Sequence, residues 1–166
     1  MKVDLPLRLA CRMNNLLTVK CLYKMFPDAV NHATTSGKYP IHLAIVDNNI
    51  IYGVDIVRFL LDCDPRVKLQ KFGEESWSLL LCACAFFDDA DINIELAMEI
   101  IGAIYDAHPE AIEDDSFMSN INIFHPHVIT FIQDALDIAR LASDLYLIPF
   151  DEKGQLCTST SCAVSQ

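Results

Sequence analysis

A six-residue pattern recurs in the chain at a fixed distance. Leu5-Pro6-Leu7-Arg8-Leu9-Ala10 aligns with Tyr39-Pro40-Ile41-His42-Leu43-Ala44, 34 residues further on. A period of this length constrains the fold strongly, because a unit that small cannot bury its own apolar face and has to stack on copies of itself. Proline suits the first helical position: the missing N–H would lack a helical partner there anyway, and its φ is already helical. The second halves recur as well. Val19-Lys20-Cys21-Leu22-Tyr23-Lys24-Met25-Phe26-Pro27 matches Val57-Arg58-Phe59-Leu60-Leu61-Asp62-Cys63-Asp64-Pro65, and Ile101-Gly102-Ala103-Ile104-Tyr105-Asp106-Ala107-His108-Pro109 is a weaker third copy. Each ends in proline, which disfavours helix at the residue before it.

Three units follow, at about 4–38, 39–75 and 76–112, together filling a first region of about 1–122. Each reads as helix, loop, helix and proline stop. The first predicts helices over Pro6–Met13 and Leu16–Met25, joined at Asn14-Asn15. The second predicts Pro40–Asp47 and Val54–Cys63, with Asn48-Asn49 and Gly53 in the connection. Leu43, Val46, Ile56, Phe59 and Leu60 have helical spacing and should face neighbouring layers. Gly37 is the natural positive-φ residue of the turn between the two units. In the third unit Ser76 is expected to cap a helix over Trp77–Ala83. An acidic insertion, Asp88-Asp89-Ala90-Asp91, precedes a second helix over Ile94–Ala107.

A polar connection is expected up to Asn122. The region 123–149 then holds a long helix opened by His125-Pro126 and stopped by Pro149, with Phe131, Ile132, Ala135, Ile138, Ala139 and Ala142 as its apolar stripe. Such a helix can cap the last hydrophobic face of a stack. In the region 150–166, Asp151-Glu152-Lys153-Gly154-Gln155-Leu156 reads as the start of another unit, but small polar residues follow. The expectation is a truncated repeat start and a disordered tail.

Pro40, His42 and Ala44, with Ile41 in place of leucine and Tyr39 in place of threonine, resemble the Thr-Pro-Leu-His-x-Ala pattern of ankyrin repeats, and the period agrees. The resemblance covers about residues 4–112. It implies an all-α solenoid of stacked helix pairs, followed here by the long capping helix and the tail. It also implies a structural role for His42 and a protein-protein interaction scaffold, binding a partner protein through a concave face built from the first helices and the turn tips. By the family's geometry the partner-binding candidates are Arg8, Arg12, Lys38, Tyr39, Glu75 and Trp77. Arginine and aromatic side chains are frequent interface anchors, although a tryptophan at a helix start can equally plug the stack. The alternative is a structural fragment of a longer repeat array with no partner of its own.

Composition narrows the partner class. Twelve Lys+Arg against 23 Asp+Glu give a net charge of −11, which opposes nucleic acid and anionic membranes, and no basic cluster is visible along the chain. The acidic runs at Asp88, Asp89 and Asp91 and at Glu110, Glu113, Asp114 and Asp115 lack EF-hand spacing and read as solvated loops. The longest nearly uncharged run, Ser76 to Phe87, is too short to cross a bilayer. The start of the chain carries no secretory pattern. Seven cysteines without such a signal point to reduced thiols and a cytoplasmic, or alternatively nuclear, protein.

No cofactor, metal, small-molecule substrate or catalytic residue is expected. Glycine-rich phosphate loops, the Gly-x-Ser-x-Gly elbow and His-Glu-x-x-His are all absent from the sequence. Cys82 and Cys84, one residue apart on a helix, point about 200° apart and cannot share an ion. Cys157 and Cys162 have no partners in view. His125 should cap the long helix and His127 should lie exposed on its first turn. His32 and His108 receive no role.

Overall fold

A computed structural model describes residues 6–46, 53–73, 76–87 and 93–146. The chain is all-α, and among the described residues there is no strand, only an isolated antiparallel bridge between Phe72 and Trp77. Eight α-helices are described: α1 (Pro6–Arg12), α2 (Leu16–Met25), α3 (Pro40–Val46), α4 (Gly53–Cys63), α5 (Leu79–Phe86), α6 (Ile94–Ala107), α7 (Asp115–Ser119) and α8 (Pro126–Tyr146). None is long and apolar enough to cross a membrane. The chain divides into two compact units, residues 1–128 and 129–166.

In the first unit the helices form two rows of contacts. One runs α1, α3, α5 and the other α2, α4, α6, and each helix also packs on its sequence neighbour in the pairs α1/α2, α3/α4 and α5/α6. The register of the repeats explains the core. Leu7, Ile41 and Leu80 occupy equivalent positions and are buried, as are Ala10, Ala44 and Ala83. Leu79 through Cys84 are all buried, so α5 has no solvent face over these six residues, and only its end, at Phe86, is exposed.

Local chemistry sets the helix ends. Asn14 has φ 57, its N–H donates to the Cys11 carbonyl and the Asn15 N–H donates to the Ala10 carbonyl, which together make a Schellman close for α1. Asn15 then caps α2, its side chain accepting from the Thr18 N–H at 3.0 Å. Two adjacent asparagines thus end one helix and start the next. Asn93 caps α6 in the same way, accepting from Glu95 and Leu96. After α2, α4 and α6 the chain enters short 3-10 segments at Pro27–Asn31, Val67–Leu69 and Pro109–Glu113. Gln70 ties the first two together, donating to the Val30 carbonyl and the Asn31 side chain, while Asn31 donates to Asp64.

Three expectations are corrected. Ser76 does not cap a helix: it sits in a turn at φ 54, and α5 begins two residues later with Ser78 as its cap, accepting from the Leu81 N–H. The reason lies in the preceding turn, where Phe72 and Trp77 exchange both backbone hydrogen bonds at 2.9 Å and so hold Trp77 out of the helix. Gly53 belongs to α4 rather than to the loop, and a Cβ there would stand 3.0 Å from the Ala44 carbonyl oxygen, so glycine permits close approach to α3. The segment after Pro109 is not an unstructured connection. Asp114 caps the short α7, accepting from Ser116, and Phe117 is buried against Phe124 at 5.3 Å between ring centroids.

The second unit contains the continuation of α8 from Ile129. Ile138, Ala139 and Ala142 of its expected apolar stripe are exposed. His125 accepts from the His127 N–H at the start of α8, and His127 is exposed, as expected. Asn48-Asn49, Asp88, Asp89, Asp91, Pro149 and the segment 150–166, including Cys157 and Cys162, lie outside the described residues.

Candidate functional site

Hydrogen bonds centred on Thr34 hold the turn between the first two units. The Thr34 N–H donates to the Lys38 carbonyl at 2.7 Å, the Lys38 N–H donates to Thr34 Oγ1 at 2.9 Å, and the Gly37 N–H donates to the Thr34 carbonyl. Gly37 and Gly73 have φ 79 and 77, and the position a Gly37 Cβ would take lies 3.7 Å from the Gly73 nitrogen. Successive turn tips therefore lie close enough that a side chain on the first would touch the backbone of the second.

His42 lies beneath them and is fully buried. Its Nδ1 accepts the Tyr39 N–H at 3.2 Å, and its ring lies 5.8 Å from that of Tyr39 and 5.6 Å from that of Phe72. Lys38 Nζ stands 5.5 Å over the Phe72 ring. Burial and the nearby Lys38 charge push the imidazole pKa down to about 4, so the ring is neutral at physiological pH. His42 thus packs between Tyr39 of one tip and Phe72 of the next.

Lys38 and Tyr39 are half-buried in this cluster, Trp77 is half-buried in its bridge with Phe72, and Arg12 is exposed on α1. Glu75 lies outside the described residues. Arg8 departs from expectation: it is buried, with 8 % of its surface exposed. The alignment explains this, since Arg8 stands where His42 and Leu81 stand in the next two helices, and all three are buried.

Arg8, Arg12 and Lys38 nevertheless meet. Together with the hydroxyls of Thr34 and Ser36, and with Leu9 and Leu43 as apolar wall, they line a groove of about 190 Å³ between α1, α3 and the turn. No carboxylate lines it among the described residues. The three cations are spread over 31 positions of sequence, and the contact between α1 and α3 assembles them.

Elsewhere the polar groups serve structure. Cys11, Cys82 and Cys84 are buried, and burial pushes the Cys11 and Cys82 thiols up to about 12 and that of Cys84 up as well. A thiol so far from its thiolate is a poor nucleophile. Among the described residues no three His, Cys, Asp or Glu side chains are placed to hold a metal ion. Hydrogen bonds from Ser116 and the nearby Lys71 ammonium, 3.3 Å away, lower the Asp114 carboxyl below the usual range. No protein-family model, curated protein or solved structure matches the chain.

Proposed function

We propose that the chain is a non-catalytic protein-interaction scaffold of ankyrin type, which binds a partner protein through the face formed by the turn tips and α1, α3 and α5. The observation that carries the reading is the repeated order of contacts, α1 on α3 on α5 and α2 on α4 on α6, with Gly37 and Gly73 in register at the tips. Stacked units of this kind present side chains at fixed intervals along one edge, a geometry suited to an extended protein surface. Arg12, Lys38, Tyr39 and Trp77 are the partner-facing residues, and Arg8 forms the buried wall of the groove between them.

The test is capture from a native cell extract by wild type, by the Arg12→Glu/Lys38→Glu double variant and by Tyr39→Ala, with circular dichroism on each. The expected result is the loss of the same captured protein in both variants while helicity is kept. Capture undiminished in both removes this face from the interaction.

A further inference from the structure

Gln70 carries an acceptor that the fold leaves open, and its neighbours fix which way that acceptor faces. The Asp64 carboxylate only accepts, so the Asn31 amide presents Nδ2 to it, at 2.8 Å. Asn31 Oδ1 then accepts from Gln70 Nε2 at 2.9 Å, and the same nitrogen donates to the Val30 carbonyl at 3.0 Å. Both amide orientations are thereby set from the carboxylate outwards. With its nitrogen committed to the first unit, the planar carboxamide turns its oxygen the other way. Gln70 is 7 % exposed, and its Oε1 is buried with no hydrogen-bond partner among the described residues. A buried acceptor left without a donor is costly, so this oxygen calls for a donor from outside the fold.

Gln70 lines a cavity of about 130 Å³ whose other walls include Ser78 and residues of the segment 108–114. Ser78, also 7 % exposed, has the opposite need. Its Oγ accepts from the Leu81 N–H, and its own hydroxyl hydrogen goes to no described residue. An occupant has to donate to one wall and accept from the other. Ammonium and guanidinium groups only donate and a carboxylate only accepts, so neither ion matches both. Charge agrees, since Lys68 and Lys71 stand against Glu110 and Asp114, with Lys71 Nζ 3.3 Å from Asp114, and the lining favours neither sign. A primary carboxamide is neutral and presents its donor and its acceptor on separate atoms, whereas a hydroxyl has to serve both walls from one atom. The volume is several times the roughly 30 Å³ that a water molecule takes in the liquid, enough for the larger group.

We propose that this cavity receives the side-chain carboxamide of a glutamine or asparagine on a protein partner, its N–H donating to Gln70 Oε1 and its oxygen accepting from Ser78. This rests on the interaction reading above and adds an anchor of defined chemistry, separate from Arg12, Lys38 and Tyr39. The relay from Asp64 through Asn31 to Gln70 is in place before binding, so little ordering is left to the bound state. Its head-to-tail hydrogen bonds also polarise the Gln70 oxygen and make it the stronger acceptor.

The experiment titrates the ¹⁵N-labelled full chain with blocked Ala-Gln-Ala, Ala-Met-Ala, Ala-Ser-Ala and Ala-Lys-Ala peptides at constant ionic strength. The expected result is saturable shifts of the Gln70 side-chain NH₂ and of the Ser78 and Ala111 amides with the glutamine peptide, absent with the methionine peptide. Ser78→Ala should weaken glutamine-peptide binding about fivefold. Ser78→Asp keeps a helix cap but replaces the donor by an acceptor, so it should prefer the lysine peptide to the glutamine one. A methionine or serine peptide that binds as tightly as the glutamine peptide overturns the proposal, and so does an unchanged glutamine preference in both variants. No response to any peptide means that Oε1 is satisfied by ordered water only, which overturns it too. If the glutamine peptide fails here while Tyr39→Ala still abolishes partner capture, the carboxamide assignment falls and the interaction surface stands.

Discussion

The Tyr39 N–H donates to Nδ1 of His42 at 3.2 Å, across the first turn of α3. This fixes the neutral ring as its Nε2–H tautomer and completes half of a capping box, in which the third helical residue reaches back to the cap. The third unit uses the other half: the Ser78 hydroxyl reaches forward to the Leu81 N–H at 3.2 Å. Histidine and serine thus do complementary jobs at equivalent helix starts, which is why α5 tolerates the loss of the motif histidine.

The buried state of His42 makes stability depend on pH. Its folded pKa of about 4 lies below the ordinary 6.5, so the unfolded chain takes up a proton first as pH falls. The contribution is fully present above about pH 6.5 and is lost progressively down to about pH 4, amounting to roughly 3 kcal/mol. His42→Gln keeps a side chain able to reach the Tyr39 N–H but does not titrate. Urea unfolding at several pH values should therefore show wild type losing about that much more stability than His42→Gln between neutral pH and about pH 4. Parallel profiles would contradict the buried neutral ring.

The two serines before α5 give a direct test of where that helix starts. Ser78→Ala removes a cap bond to a buried N–H and should lower stability by about 1 kcal/mol. Ser76→Ala, in the turn at φ 54, removes no helix cap and should cost clearly less. Equal losses in thermal melts would place the cap at Ser76 after all.

Thiol reactivity should follow burial. Cys21 on α2 is exposed, whereas Cys11, Cys82 and Cys84 are enclosed and held far from their thiolate forms. In a brief iodoacetamide pulse at neutral pH, peptide mapping should find Cys21 alkylated and these three unmodified, and all four modified in urea. Labelling of Cys82 or Cys84 in the native protein at the rate of Cys21 would show that this part of α5 is not buried as described.

Helix positions were legible wherever a local signal marked them. The approximate spans Leu16–Met25 and Ile94–Ala107 agree with the helices found, because a proline stop lies just beyond each; the asparagine caps at Asn15 and Asn93 are seen only in the structure. The start of α5 was misread because Ser76 and Ser78 are both good caps in sequence, and only the pairing of Phe72 with Trp77 chooses between them. Helix α7 went unseen, since five residues, Asp115–Ser119, are too few to show a period. The basic groove could not be read along the chain, because Arg12 and Lys38 meet only when α1 stacks on α3. The burial of Arg8 was the one site feature present in the alignment itself, through its equivalence with His42.

The described glycines separate two backbone demands that alanine substitution can resolve. At Gly37 and Gly73 the positive φ is one that alanine adopts only with strain, so each substitution should destabilise by about 1 kcal/mol although neither Cβ would clash. At Gly53 the obstacle is space: a Cβ would press on the Ala44 carbonyl oxygen at 3.0 Å, and the loss should come from α4 moving off α3. Gly102 meets neither demand. It lies inside α6, and a Cβ there touches nothing within 4 Å, so Gly102→Ala should raise stability by up to about 1 kcal/mol through helix propensity alone. Thermal melts of the four variants should therefore rank Gly102→Ala above wild type and the other three below it. A destabilising Gly102→Ala would mean that α6 is not a continuous helix through that position.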